Sequence, residues 1–376
     1  MKMSFILGPM SVGVRPLDFN AIFNSPRGLT GTEISLVMNA LEFKKLGHDV
    51  TIFTVCTPGQ PEIWNDIKLK AYAPLLNSEI FDAVISINEP YCLYDANENA
   101  VRVFCQYLND FTYCPLNWHI PVDIFTAPCQ MLIDHLEKQA GAENTVNKWN
   151  VLPLGCSPEI YSDNRVSGRV VWTSSADRGL HWLLQCWPQI KLSVPNANLK
   201  IFYNFNYGDI SSFEQVGTNH PHVLEMAQRI RYMEESIKRL NVLDVEHVGS
   251  VSREIIQKEY SEAMVLAYPF SPVAFTEGFS LSIMEACAAG VLPVISDGDC
   301  LGSIYGEIVP MVKSPVQNNL NEFALLVIKG LINSEWHSET TTKTKAFAQN
   351  YTWPKVAKQL EELIIKSDKY RKNNGQ

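Results

Sequence analysis

Two glutamates, Glu277 and Glu285, flank a Gly278-Phe279-Ser280 turn within MVLAYPFSPVAFTEGFSLSIMEACAAGVLPVISD, residues 264–297. The apolar run before them reads as a strand and the run after Ser280 as a helix that Gly290 stops, with a second strand beyond. A helix N-terminus leaves its first amides without intrahelical partners and carries roughly half a positive charge. Such an end suits a diphosphate. Gly278 admits positive φ or close backbone approach where a side chain would collide. With the helix starting near Leu281, Glu285 lies one turn inside, about 6 Å along the axis. A carboxylate there can accept from both hydroxyls of a ribose whose phosphates sit at the helix end. Glu277 stays on the loop and faces the transferred group or its leaving group. A plain structural reading also exists: Ser282 followed by Glu285 fits a capping box, and Glu277 can be a solvated loop acid. The shared strand–loop–helix frame favours the functional one.

These residues need a scaffold, and the chain alternates β-branched apolar runs with amphipathic stretches, which predicts parallel sheets wrapped by helices. Strand 4–8 leads through a long loop, 9–27, to Gly28-Leu29-Thr30-Gly31-Thr32-Glu33. Ile34, Val37, Met38, Leu41 and Leu46 then follow helical spacing up to Gly47, and 49–55 is a strand. Further strands are predicted at 81–87, 101–107 and 123–128. The segment 149–156, with Pro153 and Gly155, reads as a crossing between domains. A second series follows: strand 169–175, helix 179–192, strand 198–205, helix 221–240, strands 245–250 and 264–269, helix 281–289 and strand 291–296. An amphipathic helix closes the chain at 353–367. Ligands in such folds sit beyond the carboxyl ends of the strands, so two sets of loops should line a cleft.

A chain of 376 residues favours two domains. The net charge of −9, with no basic cluster longer than two residues before the tail, argues against nucleic acid as the main partner. Nine scattered cysteines without a Cys-x-x-Cys pair read as buried thiols of a reducing compartment, and a cytoplasmic location is expected. Pro9 interrupts the short N-terminal apolar run, which is read as a first strand, 3–7, rather than a signal peptide. No run of about 18 apolar residues spans a membrane.

The pattern Glu277-Gly278-Phe279-Ser280-Leu281 with Glu285-Ala286-Cys287-Ala288-Ala289-Gly290 resembles the signature of family-4 retaining glycosyltransferases. The likeness covers nearly the whole chain in order, with this segment the specific part. It implies an α/β GT-B fold, two Rossmann-like domains with parallel sheets facing across a cleft. An acceptor domain, 1–150, completed by the C-terminal helix 353–376, and a donor domain, 151–352, follow from it. It implies transfer of a sugar with retention from a nucleotide-diphosphate sugar, such as a UDP- or GDP-sugar, to a hydroxyl of a carbohydrate or glycoconjugate, with no cofactor and no metal. By resemblance, Glu285 holds the ribose, Glu277 contacts the donor sugar and positions its phosphate, and the amides of Phe279, Ser280 and Leu281 receive hydroxyls and phosphate oxygens.

The stretch 170–184 resembles the family loop that brings basic residues to the diphosphate, with Arg178-Gly179 in place of Lys-Gly. A cation at a helix N-terminus is disfavoured by the dipole, and guanidinium binding to phosphate supplies a reason for it. Pairing with a nearby acid is the alternative. Where the family often carries a second basic residue, Thr173, Ser174 and Ser175 stand, so Ser174 or a residue elsewhere such as Arg253 would compensate. Gly28, Thr30 and Gly31 resemble the glycine loop that approaches donor phosphates and acceptor, while Thr30 and Glu33 also form a capping box. The family's mid-domain histidine is missing from 103–114, where Gln106, Asn109 and Asp110 are candidates and His119 lies further on. Asp297-Gly298-Asp299 imitates a metal-binding Asp-x-Asp but reads as a turn after a strand. Gly28 to Gly31 is not Gly-x-Gly-x-x-Gly, so a dehydrogenase is a distant rival. The nearer rivals are a catalytically degenerate nucleotide-sugar-binding module, a nucleotide-sugar epimerase and a sugar phosphorylase.

Overall fold

The computed structural model describes residues 1–12, 16–72, 79–111, 114–204 and 221–373. Phe205, expected at the end of a strand, Thr112 and Tyr113 of the 103–114 stretch, and 13–15 of the long first loop lie outside them. The chain divides into two compact units. One comprises Met1–Ser25, Leu29–Gly155 and Tyr351–Gln376, the other Pro26–Gly28 and Cys156–Asn350.

The first unit is built on eight strands: β1 (Lys2–Leu7), β2 (Asp49–Thr54), β3 (Ile63–Trp64), β4 (Ile67–Ala71), β5 (Ala83–Ile87), β6 (Val101–Cys105), β7 (Ile124–Ala127) and β8 (Trp149–Val151). Their order is β3-β4-β2-β1-β5-β6-β7-β8, parallel except for the β3–β4 pair. Strand period two sends Met3, Phe5 and Leu7 to one face and Ile6 to the other, each into its own apolar cluster. Covering both faces is what a parallel sheet requires. The segment around Trp149, expected to be a plain crossing, adds an edge strand, with Phe125 opposite Trp149 in register.

The C-terminal helix Trp353–Lys366 belongs to this unit. It buries Val356, Ala357, Leu360 and Ile364 in the same cluster as Leu36 and Val37 of the helix Gly31–Lys45. Burial of each Val, Leu or Ile among them contributes about 1.5–3 kcal/mol. Gly155 lies where any Cβ would run into the Trp353 ring. The start of Gly31–Lys45 is capped as expected: Thr30 accepts from the Glu33 amide at 3.3 Å, and the Thr30 amide donates to Glu33 at 2.7 Å. Thr30→Ala is expected to lower stability by about 1 kcal/mol in urea denaturation.

The second unit carries six parallel strands: β9 (Arg169–Trp172), β10 (Asn198–Ile201), β11 (Val245–His247), β12 (Val265–Tyr268), β13 (Leu292–Ser296) and β14 (Met311–Val312). Their order is β11-β10-β9-β12-β13-β14. From β9 the chain winds one way to β11, then returns to the other side of β9 with β12. The carboxyl ends of β9 and β12 therefore form a topological switch point, the place where open α/β sheets bind ligands. All nine cysteines are free, seven of them buried. Among the described residues, no helix is long and apolar enough to cross a membrane.

Candidate functional site

Most of the residues singled out from sequence converge at this switch point. Ser174 and Arg178 lie on the loop after β9, and Glu277, Gly278, Phe279 and Ser280 on the loop after β12. Leu281 opens the helix Leu281–Ala289, and Glu285 sits within it. Ser280 takes a left-handed conformation, φ 65°, and its side chain makes no cap bond to the helix. Its carbonyl starts the helix ladder by accepting from the Met284 amide at 3.2 Å. The Tyr305 hydroxyl donates to the carbonyls of Phe279 and Ser280 at 2.8 and 3.2 Å, which fixes the turn from below. The capping box of Ser282 and Glu285 does not form. Ser282 donates instead to the Thr173 carbonyl at 3.1 Å, because that carbonyl at the end of β9 lies beside the helix start.

Both glutamates turn inward, Glu277 at 6% and Glu285 at 4% exposure, so neither is a solvated loop acid. Each is paired with an arginine from another element. Arg178 donates to Glu277 at 2.7 Å and reaches Thr276 at 3.4 Å. Arg253 grips Glu285 with both terminal nitrogens, one at 2.8 Å. Burial opposes the charge on each arginine. The facing carboxylate outweighs it and holds both guanidinium groups above their ordinary value. Such pairing is what buried charges need.

The Arg178 loop is tightly built. Gly179 has φ 123°, and a Cβ there would collide with the Pro269 carbonyl. The Ser271 amide donates to the Arg178 carbonyl at 2.8 Å. Arg229, from the helix Pro221–Leu240, donates to the carbonyls of Asp177 and Ser271 at 3.2 and 2.5 Å and staples the two loops together. Ser174 bonds the Tyr268 hydroxyl at 3.0 Å, and that hydroxyl donates to Glu277 at 3.0 Å. Burial first, then the Glu277 charge, push the Tyr268 phenol well above its ordinary value, so it remains a donor. Tyr268 and Arg229 were missed by sequence reasoning. A polar tip at the carboxyl end of an otherwise apolar strand was the available signal for Tyr268, whereas a surface-type helix pattern conceals Arg229.

The Asp297-Gly298-Asp299 turn has two separate tasks. Asp297 pairs with Lys313 at 2.9 Å and accepts from the Ser314 amide at 2.6 Å. One oxygen of Asp299 accepts from the amides of Thr276 and Glu277 at 2.8 and 2.9 Å, holding the loop that carries Glu277. Burial raises the Asp299 carboxyl above its ordinary value.

The remaining candidates are carried by other elements. Gly28, φ 69°, belongs to the second unit and would set a Cβ 2.9 Å from the Val251 carbonyl. Thr30 and Gly31 begin the helix Gly31–Lys45 of the first unit. Asn109 and Asp110 follow β6 in that unit and are half-buried. The buried Gln106 side chain donates to the Asp110 carbonyl at 2.5 Å, and His135 bonds the Asn109 carbonyl at 3.0 Å. Their backbone is thus fixed by neighbours. His119, half-buried, has a buried Nδ1 with no hydrogen-bond partner among the described residues.

No protein-family model matches the chain. Over 109 residues, 29% of the chain, it is 28% identical to O-antigen chain mannosyltransferase B of Escherichia coli, and the match spans 27% of that relative's length. Solved structures match along the whole chain. AviGT4, a glycosyltransferase involved in avilamycin A biosynthesis, superposes with a TM-score of 0.67 at 14% identity over 99% of this chain and 97% of its own. The sucrose-phosphate synthase of Thermosynechococcus elongatus gives 0.68 at 13% identity, covering 100% and 99%. Anabaena HepE, in complex with UDP and glucose, gives 0.66 at 14% identity, covering 97% and 99%. The resemblance to family-4 glycosyltransferases carried by the 277–290 segment thus extends, as fold, along the whole chain. With two parallel-sheet α/β units in one polypeptide, the chain has the GT-B fold that it shares with these glycosyltransferases.

Proposed function

We propose that the chain is a glycosyltransferase that moves a sugar, with retention and without a metal, from a nucleotide-diphosphate sugar to an acceptor hydroxyl. The observation that carries this reading is the pair of buried glutamates at the switch point, one before the helix Leu281–Ala289 and one inside it, each held by an arginine. In this reading the second unit binds the donor. Glu285 accepts from the ribose, the helix end and Arg178 receive the diphosphate, and Glu277 faces the sugar. The first unit takes the acceptor, with Asn109, Asp110 and Thr30 on its side. UDP and glucose bound to HepE and the mannosyltransferase name of the relative make both glucose and mannose donors worth testing.

The acceptor oxygen forms its bond to the anomeric carbon on the face from which the phosphate oxygen departs, and the departing phosphate takes the acceptor proton. The protein then supplies orientation and stabilisation of the charge developing on the diphosphate. A guanidinium has five donors, so Arg178 can hold Glu277 and still meet a phosphate. No acid–base pair of the glycosidase kind is needed.

Uridine, guanosine and adenosine diphosphates and their sugars are to be screened by thermal shift, where a bound nucleotide raises the melting temperature. The product's anomeric configuration is then read by NMR in the presence of EDTA. Retention with undiminished turnover is expected. Inversion, or activity lost with the chelator, would overturn those parts. Binding without turnover across a broad donor and acceptor panel would mark a degenerate module, and an altered donor without any acceptor an epimerase.

A further inference from the structure

We propose that Arg253 is a positioning residue of the donor site: it fixes the Glu285 carboxylate so that the outward lone pair of one oxygen meets the 2′-hydroxyl of a ribose. This rests on the reading of Glu285 as the ribose ligand. Arg253 is the first residue of the helix Arg253–Glu262, directly after the capping Ser252. The helix dipole disfavours a cation at that position. The Arg253 side chain is nevertheless largely buried, at 12% exposure, with both terminal nitrogens on Glu285 from another helix.

A carboxylate has about four lone-pair sites. A two-point fork occupies one on each oxygen and fixes the plane of the group. One site remains on each oxygen, in a set direction and on opposite edges of the group, so a single oxygen meets a single ribose hydroxyl, the 2′ one. Lysine, a point donor, would leave the carboxylate free to rotate. The surroundings support a polar ligand here. The Tyr161 hydroxyl is buried, has no hydrogen-bond partner among the described residues and lies in the field of Glu285. The neighbouring Tyr260 hydroxyl is already engaged, by Thr173 at 2.6 Å and the Ser282 carbonyl at 3.0 Å. Arg253 had been a candidate to replace the missing second cation of the diphosphate loop. Its commitment to Glu285 assigns it to the ribose end instead.

The test is calorimetric affinity for uridine, guanosine and adenosine diphosphates and their 2′-deoxy counterparts, with the native chain, Glu285→Gln, Arg253→Gln and Arg253→Lys. The native protein should prefer the ribonucleotide by about tenfold, the size of one charged hydrogen bond. Arg253→Gln should reduce this preference towards unity, with the deoxynucleotide affinity nearly unchanged, and Arg253→Lys should lie between. Should Arg253→Gln fail to fold, the lysine variant carries the comparison. A preference lost in Glu285→Gln but kept in both arginine variants would overturn the positioning role while leaving the ribose role of Glu285 standing. A native protein with no preference would overturn both.

Discussion

Arg178→Ala should lower stability by about 3 kcal/mol and reduce turnover at saturating donor. The Glu277 side chain is 8% exposed, and its charge is balanced by Arg178 at 2.7 Å. The other bond to it is a neutral one, from the Tyr268 hydroxyl at 3.0 Å. Removing one partner of a buried pair leaves an uncompensated charge, which costs about 3–5 kcal/mol, and the partial exposure of Arg178 places this case at the lower end. Urea denaturation measures the first effect. Initial rates at saturating nucleotide sugar measure the second, because a cation that stabilises the leaving diphosphate acts in the transition state. Arg178→Lys keeps the charge but loses the fork and should recover more stability than rate. Full activity of Arg178→Ala at saturating donor would remove this residue from the diphosphate site.

Gly179→Ala should be at least as damaging to the fold, by about 3 kcal/mol or more, though it removes no charge and no hydrogen-bonding group. Gly179 has φ 123° and ψ 6°, outside the left-handed well that asparagine tolerates. Its missing Cβ would collide with the Pro269 carbonyl and come within 3.0 Å of the Ser271 amide. Relief requires moving the loop after β12 away from the loop after β9, which breaks the bond from the Ser271 amide to the Arg178 carbonyl. Thermal unfolding should show a fall of several degrees, since about 1 kcal/mol moves a domain of this size by about 2–4 °C. An unchanged melting temperature would mean that the two loops do not pack as described.

The strands from β1 to β2 and from β9 to β13, and the helices Pro221–Leu240, Leu281–Ala289 and Trp353–Lys366, are long or strongly patterned enough to be read directly. β8 escaped because two half-buried residues and an exposed Val151 carry no period, and it becomes a strand only by pairing with β7. β4 alternates Ile67 and Leu69 inward with exposed Lys68 and Lys70, yet five residues beside a two-residue partner give a weak signal. The helices Leu320–Ile332 and Ser334–Ala348 are exposed on one side and cover the second sheet on the other; Phe323, Ala324, Val327, Ile328 and Leu331 give the first of them a helical period, whereas the second, rich in Thr, carries little apolar pattern.

The strand–loop–helix frame around Glu277 and Glu285, and the capping of Gly31–Lys45 by Thr30, were determined by sequence alone, because each depends on residues a few positions apart. Which cation meets which carboxylate was decided only by tertiary structure. Arg178 and Glu277 are 99 positions apart and meet because the strand order sets the ends of β9 and β12 side by side, while Arg253, 32 positions from Glu285, is brought in by the helix between β11 and β12. The same holds for Asp299, a metal-motif imitation in sequence that became the clamp on the Glu277 loop. Hydrogen-bonding range is a few ångströms in space and has no fixed counterpart along the chain, so a charge pattern names the participants and the fold assigns the partners.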